Sequence, residues 1–205
     1  LFVAIKGFDF NGHEHIKEAI EKGAIAILAE EDEMTKEMVK EIPESVTLIL
    51  AKNTRYALAI LACNFYNNPS RKFKLIGVTG TKGKTTTTYM IRDILQKHKI
   101  KVGLIGTVAS YVGDKKIADN KNTTPESLEL QQIFSKMLEE KCEVVVMEVS
   151  SQSLKLDRVA GCDFDIGIFT NLSEDHISEK EHDSIEDYFE SKVKLFKMCK
   201  KGFIN

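Results

Sequence analysis

Apolar runs of strand length alternate with stretches of helical spacing from the first residue onward. Residues 1–5, 24–29 and 46–51 are the runs; residues 15–22, 31–41 and 55–66 are the helical stretches, the second of them acidic. The order is β-α-β-α-β-α, the rhythm of a small α/β domain. Asn67-Asn68-Pro69-Ser70-Arg71-Lys72 then breaks the pattern with a polar segment whose proline cannot continue a helix. A boundary is placed there, between a first domain over 1–68 and a second over 69–205.

The second region opens with a short apolar run, 73–79, that feeds a glycine-rich turn and a helix from about 84 to 98. A strand follows at 101–107, and the polar stretch 110–121, with Gly113-Asp114, predicts a hairpin or an excursion at a sheet edge. Helical spacing resumes at 127–139. Val144-Val145-Val146-Met147 is apolar throughout, as in a strand covered on both faces, and 165–170 repeats that pattern. A last helix is expected from about 184 to 199, with 202–205 reading as a strand that is just beginning. The fold class is α/β: a small N-terminal α/β domain followed by a P-loop-type, mostly parallel sheet flanked by helices. The first residue is not methionine and stands inside a strand-like run, so both domains are expected to be incomplete and the chain a fragment.

Composition narrows the partners. Across 205 residues, 29 basic against 31 acidic side chains leave a net charge of -2, which offers no electrostatic attraction for nucleic acid or an anionic membrane. No apolar run approaches the roughly 20 residues of a membrane span, and no signal-peptide pattern is present. Cys63, Cys142, Cys162 and Cys199 lie far apart, without C-x-x-C pairing or zinc spacing. A cytoplasmic, monomeric protein acting on a small soluble substrate is expected.

The candidate chemistry centres on Gly80-Thr81-Lys82-Gly83-Lys84-Thr85-Thr86. A phosphate loop needs small residues so that successive N–H groups can face one cavity, a lysine for the β/γ-phosphates and a hydroxyl for magnesium. Gly80, Gly83, Lys84 and Thr85 supply these parts between a strand and a helix, and the helix N-terminus adds its dipole. Valine at position 78 departs from the strict motif, which has glycine there. Glu148 ends a buried strand, where a carboxylate is costly unless paired or metal-bound. A Mg²⁺ ligand is one reading; an incidental glutamate beside the capping serines Ser150 and Ser151 is the other. Asp175-His176 follows the strand at 165–170 and should reach the same carboxyl edge of the sheet as the loop, where open α/β sheets bind ligands. The remaining histidines, His13, His15, His98 and His182, have no such context and are expected at the surface.

Gly-Thr-x-Gly-Lys-Thr-Thr-Thr directly after Ile76-Gly77-Val78-Thr79 resembles the Mur ligase family, the ATP-dependent amide-forming ligases of peptidoglycan precursor synthesis. Phe2-Val3-Ala4-Ile5-Lys6-Gly7, Asn11-Gly12-His13, Asn122-Thr123-Thr124-Pro125-Glu126, Met147-Glu148-Val149-Ser150-Ser151, Leu156-Asp157-Arg158-Val159 and Thr170-Asn171-Leu172-Ser173-Glu174-Asp175-His176 are similar to one branch in order and spacing. The resemblance implies that 1–68 is the end of a uridine-nucleotide-binding domain and 69–205 the first part of the central ATP-binding domain. It implies a ligase that adds a diamino acid to UDP-N-acetylmuramoyl-L-Ala-D-Glu through an acyl phosphate.

On that resemblance Gly80, Thr81, Lys82, Gly83, Lys84, Thr85 and Thr86 bind ATP, and Thr85, Glu148 and His176 hold Mg²⁺. Lys84, His176 and Lys192 act in catalysis, with a CO₂-derived carbamate on Lys192. Thr123, Thr124, Ser150 and Arg158 contact the UDP-sugar-peptide, Arg158 through a planar fork suited to phosphate or carboxylate. Three positions depart from the family pattern: Lys82 in place of asparagine, Gln152 in place of histidine, and a longer segment over 177–182. The alternatives are a folylpolyglutamate synthase-like ligase and a non-catalytic nucleotide-binding module, and the fragment alone is expected to be inactive. The identity of the amine, meso-diaminopimelate or L-lysine, is not encoded in these residues.

Overall fold

The structure is a computed structural model that describes residues 1–173, 178 and 181–205. Within them the chain forms two compact units, Leu1–Leu58 and Ala59–Asn205. The dividing line falls inside a helix.

In the first unit three parallel strands, β1 (Phe2–Val3), β2 (Ala26–Glu30) and β3 (Thr47–Ala51), lie in that order. Helices α1 (Ile16–Glu21) and α2 (Lys36–Glu41) connect them, and the buried centre is Ala4, Ile16, Ile27 and Ala29. The acidic stretch expected as one helix over 31–41 is divided. Residues Glu31–Glu33 form a single 3-10 turn, Met34 is extended, and α2 begins only where the Thr35 hydroxyl accepts the Met38 N–H. A threonine cap in mid-segment restarts the helix because it satisfies donors that a continuous helix would leave to its own carbonyls. α3 (Thr54–Phe65) runs across the division between the units.

The second unit is built on a seven-stranded sheet. In chain order its strands are β4 (Lys74–Thr79), β5 (Val102–Ile105), β6 (Ala109–Val112), β7 (Lys115–Asp119), β8 (Val144–Glu148), β9 (Phe164–Phe169) and β10 (Cys199–Ile204). In space the order is β10-β9-β4-β8-β5-β6-β7, parallel from β10 to β5 and antiparallel through the β6–β7 hairpin. Gly113 makes the hairpin turn at φ 58°, a left-handed conformation that glycine adopts without strain. Helices α4 (Lys84–Lys97), α5 (Ser127–Glu139), α6 (Ser151–Lys155) and α7 (Ile185–Met198) complete the unit. One face packs Leu75, Ile105, Phe134, Met137, Val145, Met147 and Phe164; the other packs Val78, Val102, Leu104 and Val146.

The register matters for function. Val78 pairs with Glu148 and Thr79 with Phe169, so the carboxyl ends of β4, β8 and β9 stand side by side. The chain leaves β4 to one side toward β5 and leaves β8 to the other toward β9, which opens a crevice beyond those ends. β10 is longer than the run at 202–205 suggests. Its ladder to β9 starts at Cys199, and Lys200 pairs with Asp163 and Asp165 below it.

Candidate functional site

The phosphate loop is shaped by two glycines. Gly80 sits at φ 143° and a Cβ there would stand 2.0 Å from Thr170 Oγ1, while Gly83 caps α4 at φ 83°. The segment after β9 locks the loop's first half. Thr81 N–H donates to the Asn171 carbonyl (3.0 Å) and Lys82 N–H to Asn171 Oδ1 (3.0 Å). The Lys82 carbonyl accepts from Thr170 Oγ1 (2.7 Å) and Asn171 Nδ2 (3.0 Å), and Thr81 Oγ1 exchanges hydrogen bonds with the Ser173 backbone. The N–H groups of Thr81 and Lys82, expected to face phosphates, are therefore turned toward Asn171. The donors left at the mouth are those of the first turn of α4, whose helical ladder begins only at Thr87 N–H to Gly83 O (2.9 Å).

Lys84 Nζ donates to the carbonyls of Gly80 (2.8 Å) and Thr81 (3.1 Å), and Lys192 Nζ donates to the same Gly80 carbonyl (3.0 Å). Two lysine side chains thus converge on one oxygen at the loop. Lys192 is 1% exposed, and its Nζ also lies 4.2 Å from the centre of the Tyr188 ring. The helical spacing of Tyr188, Lys192 and Leu195 puts all three on one buried face of α7. That periodicity is the signal that Lys192 is not a surface lysine.

Glu148, 1% exposed at the end of β8, accepts from Thr85 Oγ1 (2.9 Å), Thr107 N–H (3.0 Å) and Thr107 Oγ1 (3.3 Å). A Cβ on Gly106 would meet Glu148 Oε1 at 2.5 Å, so the glycine lets this carboxylate lie against the strand end. The donor set is a buried carboxylate with neutral hydroxyls, all hard oxygens, which fits a magnesium ion better than a softer metal. Thr107 ends the strand expected at 101–107 but has no site role in the sequence reading; the fold brings it to Glu148. Asp175 and His176 lie outside the described residues.

A cleft of about 290 Å³ runs beside the loop, with Lys84, Thr107, Thr123, Ser150, Arg158 and Lys192 among its walls. Arg158 is held by Glu126 (2.8 Å) and the Thr124 carbonyl (3.3 Å). Ser150 caps α6 by accepting Ser153 N–H. Thr124, expected as a substrate contact, is fully buried: its hydroxyl donates to the Glu148 carbonyl (3.0 Å) and accepts Ser150 N–H (3.0 Å). It stitches the strand end to the serine turn rather than facing the cleft.

Two histidines expected at the surface are buried. His13 (3% exposed) lies between Asn11 Oδ1 (2.8 Å) and Glu30 N–H (3.0 Å). His182 (1% exposed) lies between Asp187 Oδ2 and Ser151 Oγ, each at 2.9 Å. Burial lowers both pKa values, against the opposing pull of Glu30 and Asp187. His182 escaped the sequence reading because its partners are distant in sequence or look like helix caps. At the start of α7 Ser184 Oγ accepts Asp187 N–H.

Comparison with known proteins gives consistent matches. Residues 78–205 match the family model described as the Mur ligase middle domain, and residues 1–66 that described as the Mur ligase family, catalytic domain. The UDP-N-acetylmuramoyl-L-alanyl-D-glutamate--2,6-diaminopimelate ligase of Caldanaerobacter subterraneus subsp. tengcongensis is 50% identical over 204 residues, 100% of this chain and 40% of the relative. Ligase 1 of the same name from Clostridium acetobutylicum is 50% identical over 205 residues, with the same coverage. The chain thus spans about 40% of the length of these curated relatives. A solved structure with that ligase name superposes at TM-score 0.80 and 22% identity, covering 100% of this chain and 40% of that one. The MurF ligase from Thermotoga maritima in complex with ADP superposes at 0.56 and 26% identity, covering 97% of this chain and 40% of that one. A Mycobacterium tuberculosis folylpolyglutamate synthase complexed with ADP and AMPPCP reaches 0.55 at 14% identity over 67% of this chain and 38% of that one.

Proposed function

This chain belongs to the Mur ligase family, and on that premise we propose that it is the nucleotide-binding part of an ATP-dependent ligase that joins 2,6-diaminopimelate to UDP-N-acetylmuramoyl-L-Ala-D-Glu in peptidoglycan precursor synthesis. The observation that carries the reading is that Lys84 and Lys192 meet at the Gly80 carbonyl of the phosphate loop on the wall of one cleft, with Thr107, which donates to Glu148, on the same wall. The choice of diaminopimelate over L-lysine rests on the names of relatives about 50% identical.

The reaction moves the γ-phosphoryl group of ATP to a substrate carboxylate, and the amine then displaces phosphate from the acyl phosphate. Catalysis of this kind is positioning and charge neutralisation. Lys84 exchanges its two carbonyl partners for β/γ-phosphate oxygens, and the first-turn N–H groups of α4 hold the phosphates. Thr85 and Glu148 would hold Mg²⁺, with His176 a further ligand; when bound, the ion neutralises phosphate charge. Thr123, Ser150 and Arg158 take the substrate. Carbamylation of Lys192 would leave one N–H for the Gly80 carbonyl, while the Tyr188 ring face suits the unmodified ammonium better. With ATP as cosubstrate, the reaction is assigned to the cytoplasm.

The test uses the gene product in full with UDP-N-acetylmuramoyl-L-Ala-D-Glu, Mg-ATP and either 2,6-diaminopimelate or L-lysine. ADP release that requires the UDP substrate and diaminopimelate is expected, falling at least about 10²-fold in Lys84→Ala. Absence of substrate-dependent release would overturn the reading, and preference for L-lysine would correct the amine. If Lys192→Ala and depletion of bicarbonate both leave the rate unchanged, the carbamate is wrong.

A further inference from the structure

Ser151 and His182 stand next to each other on the wall of the cleft, and the ligase reading gives neither a role. His182 Nδ1 faces Asp187 Oδ2, and Nε2 faces Ser151 Oγ, each at 2.9 Å. The same Asp187 oxygen accepts from Lys155 Nζ (2.8 Å) and from Asp183 N–H (3.2 Å). Burial would raise the Asp187 pKa, but the Lys155, His182 and Asp183 hydrogen bonds bring it down to about 2. The carboxylate is therefore ionised and can only accept. That decides the imidazole tautomer: Nδ1–H donates to Asp187, and the bare Nε2 accepts the hydroxyl proton of Ser151.

The ring packs edge-on against buried Tyr188, with centroids 5.1 Å apart, and turning it over would break both of its hydrogen bonds. With its proton committed to His182, the Ser151 oxygen meets an incoming group with lone pairs alone. Hydrolases use the same three side-chain types to activate a nucleophile. Here Ser151 is only 5% exposed and Lys155 also draws on Asp187, so the arrangement sets the direction of a hydrogen bond rather than reactivity.

We propose that Ser151 is a further substrate-binding residue, held by His182 as an obligate hydrogen-bond acceptor for an amide N–H or hydroxyl of the sugar-peptide substrate. His182 is the positioning residue, and the inference rests on the ligase reading above. Ser151→Ala in the full-length protein should raise KM for UDP-N-acetylmuramoyl-L-Ala-D-Glu roughly tenfold, the cost of one buried hydrogen bond, leaving kcat and the KM for ATP within about twofold. His182→Asn keeps an N–H for Asp187 but cannot reach Ser151, and should match Ser151→Ala. His182→Gln puts a carbonyl oxygen where Nε2 was and should recover most of the loss. The double variant Ser151→Ala/His182→Asn should be no worse than Ser151→Ala alone, because the second change acts only through the first.

Unchanged KM in Ser151→Ala, or additive losses in the double variant, would overturn the inference. Calorimetric titration with the UDP substrate separates this failure from failure of the ligase reading. An unsubstituted protein that binds no UDP substrate contradicts the ligase reading, and the inference with it. Binding that Ser151→Ala leaves unchanged contradicts the inference alone.

Discussion

At the scale of single residues, the site buries charged side chains beside a glycine-rich loop. Glu148 has only hydroxyl and amide donors among its described partners, so its negative charge is matched by dipoles rather than by a cation. Glu148→Gln keeps the shape and removes the charge. The melting temperature should stay the same or rise, while the gain in ATP affinity on adding magnesium, read by calorimetry, should fall at least about tenfold. A variant whose magnesium response is intact would remove Glu148 from the metal site. His13 and His182 give a pH dependence. Their lowered pKa values mean that the unfolded chain, titrating near about 6.5, takes up protons before the folded one does. Stability from the neutral rings is complete above that value and is lost as pH falls through the lower folded values. The melting temperature should therefore decline from pH 7.5 to 5, less steeply in His182→Gln; a flat profile would contradict the burial of both rings. The strand–loop–helix setting of Lys84 and Thr85 and the burial of Glu148 at a strand end were legible from local pattern. His182, Thr107 and Asn171 were not, because each acts through partners that only the fold brings near.

At the scale of elements, the loop owes its form to the segment after β9 as much as to its own glycines. Gly80→Ala would set a Cβ against Thr170 Oγ1 and force a left-handed φ. A stability loss of about 1–3 kcal/mol and loss of nucleotide binding should follow; urea melts and calorimetry check both. Ser184→Ala removes the hydroxyl that accepts Asp187 N–H and should cost about 1 kcal/mol. It should also raise the substrate KM through Asp187 and His182. The strand–loop–helix around Gly80 and the hairpin at Gly113 were readable from local rules. The acidic stretch over 31–41 misled because charge pattern alone does not reveal a cap at Thr35. β10 was read short because its first residues, Cys199 and Lys200, earn their strand state from pairing with β9 and from Asp165 rather than from their own propensity.

At the scale of the whole molecule, topology makes the site. Parallel strands β4, β8 and β9 end together, and their neighbouring order converts residues some 60 to 110 positions apart into one crevice. The α/β class and the presence of two cores were plain from the alternation of runs. The division inside α3 was not, since a continuous helix carries no composition change at Leu58. Among the described residues no helix is long and apolar enough to cross a membrane. The central claim, that this crevice activates a carboxylate with ATP, is tested most directly by trapping. The full-length protein is incubated with Mg-ATP, UDP-N-acetylmuramoyl-L-Ala-D-Glu and hydroxylamine in place of the amino acid. The account predicts a hydroxamate of the substrate formed in step with ADP and phosphate, and none with Lys84→Ala. ADP released without hydroxamate, or hydroxamate undiminished in Lys84→Ala, would contradict it.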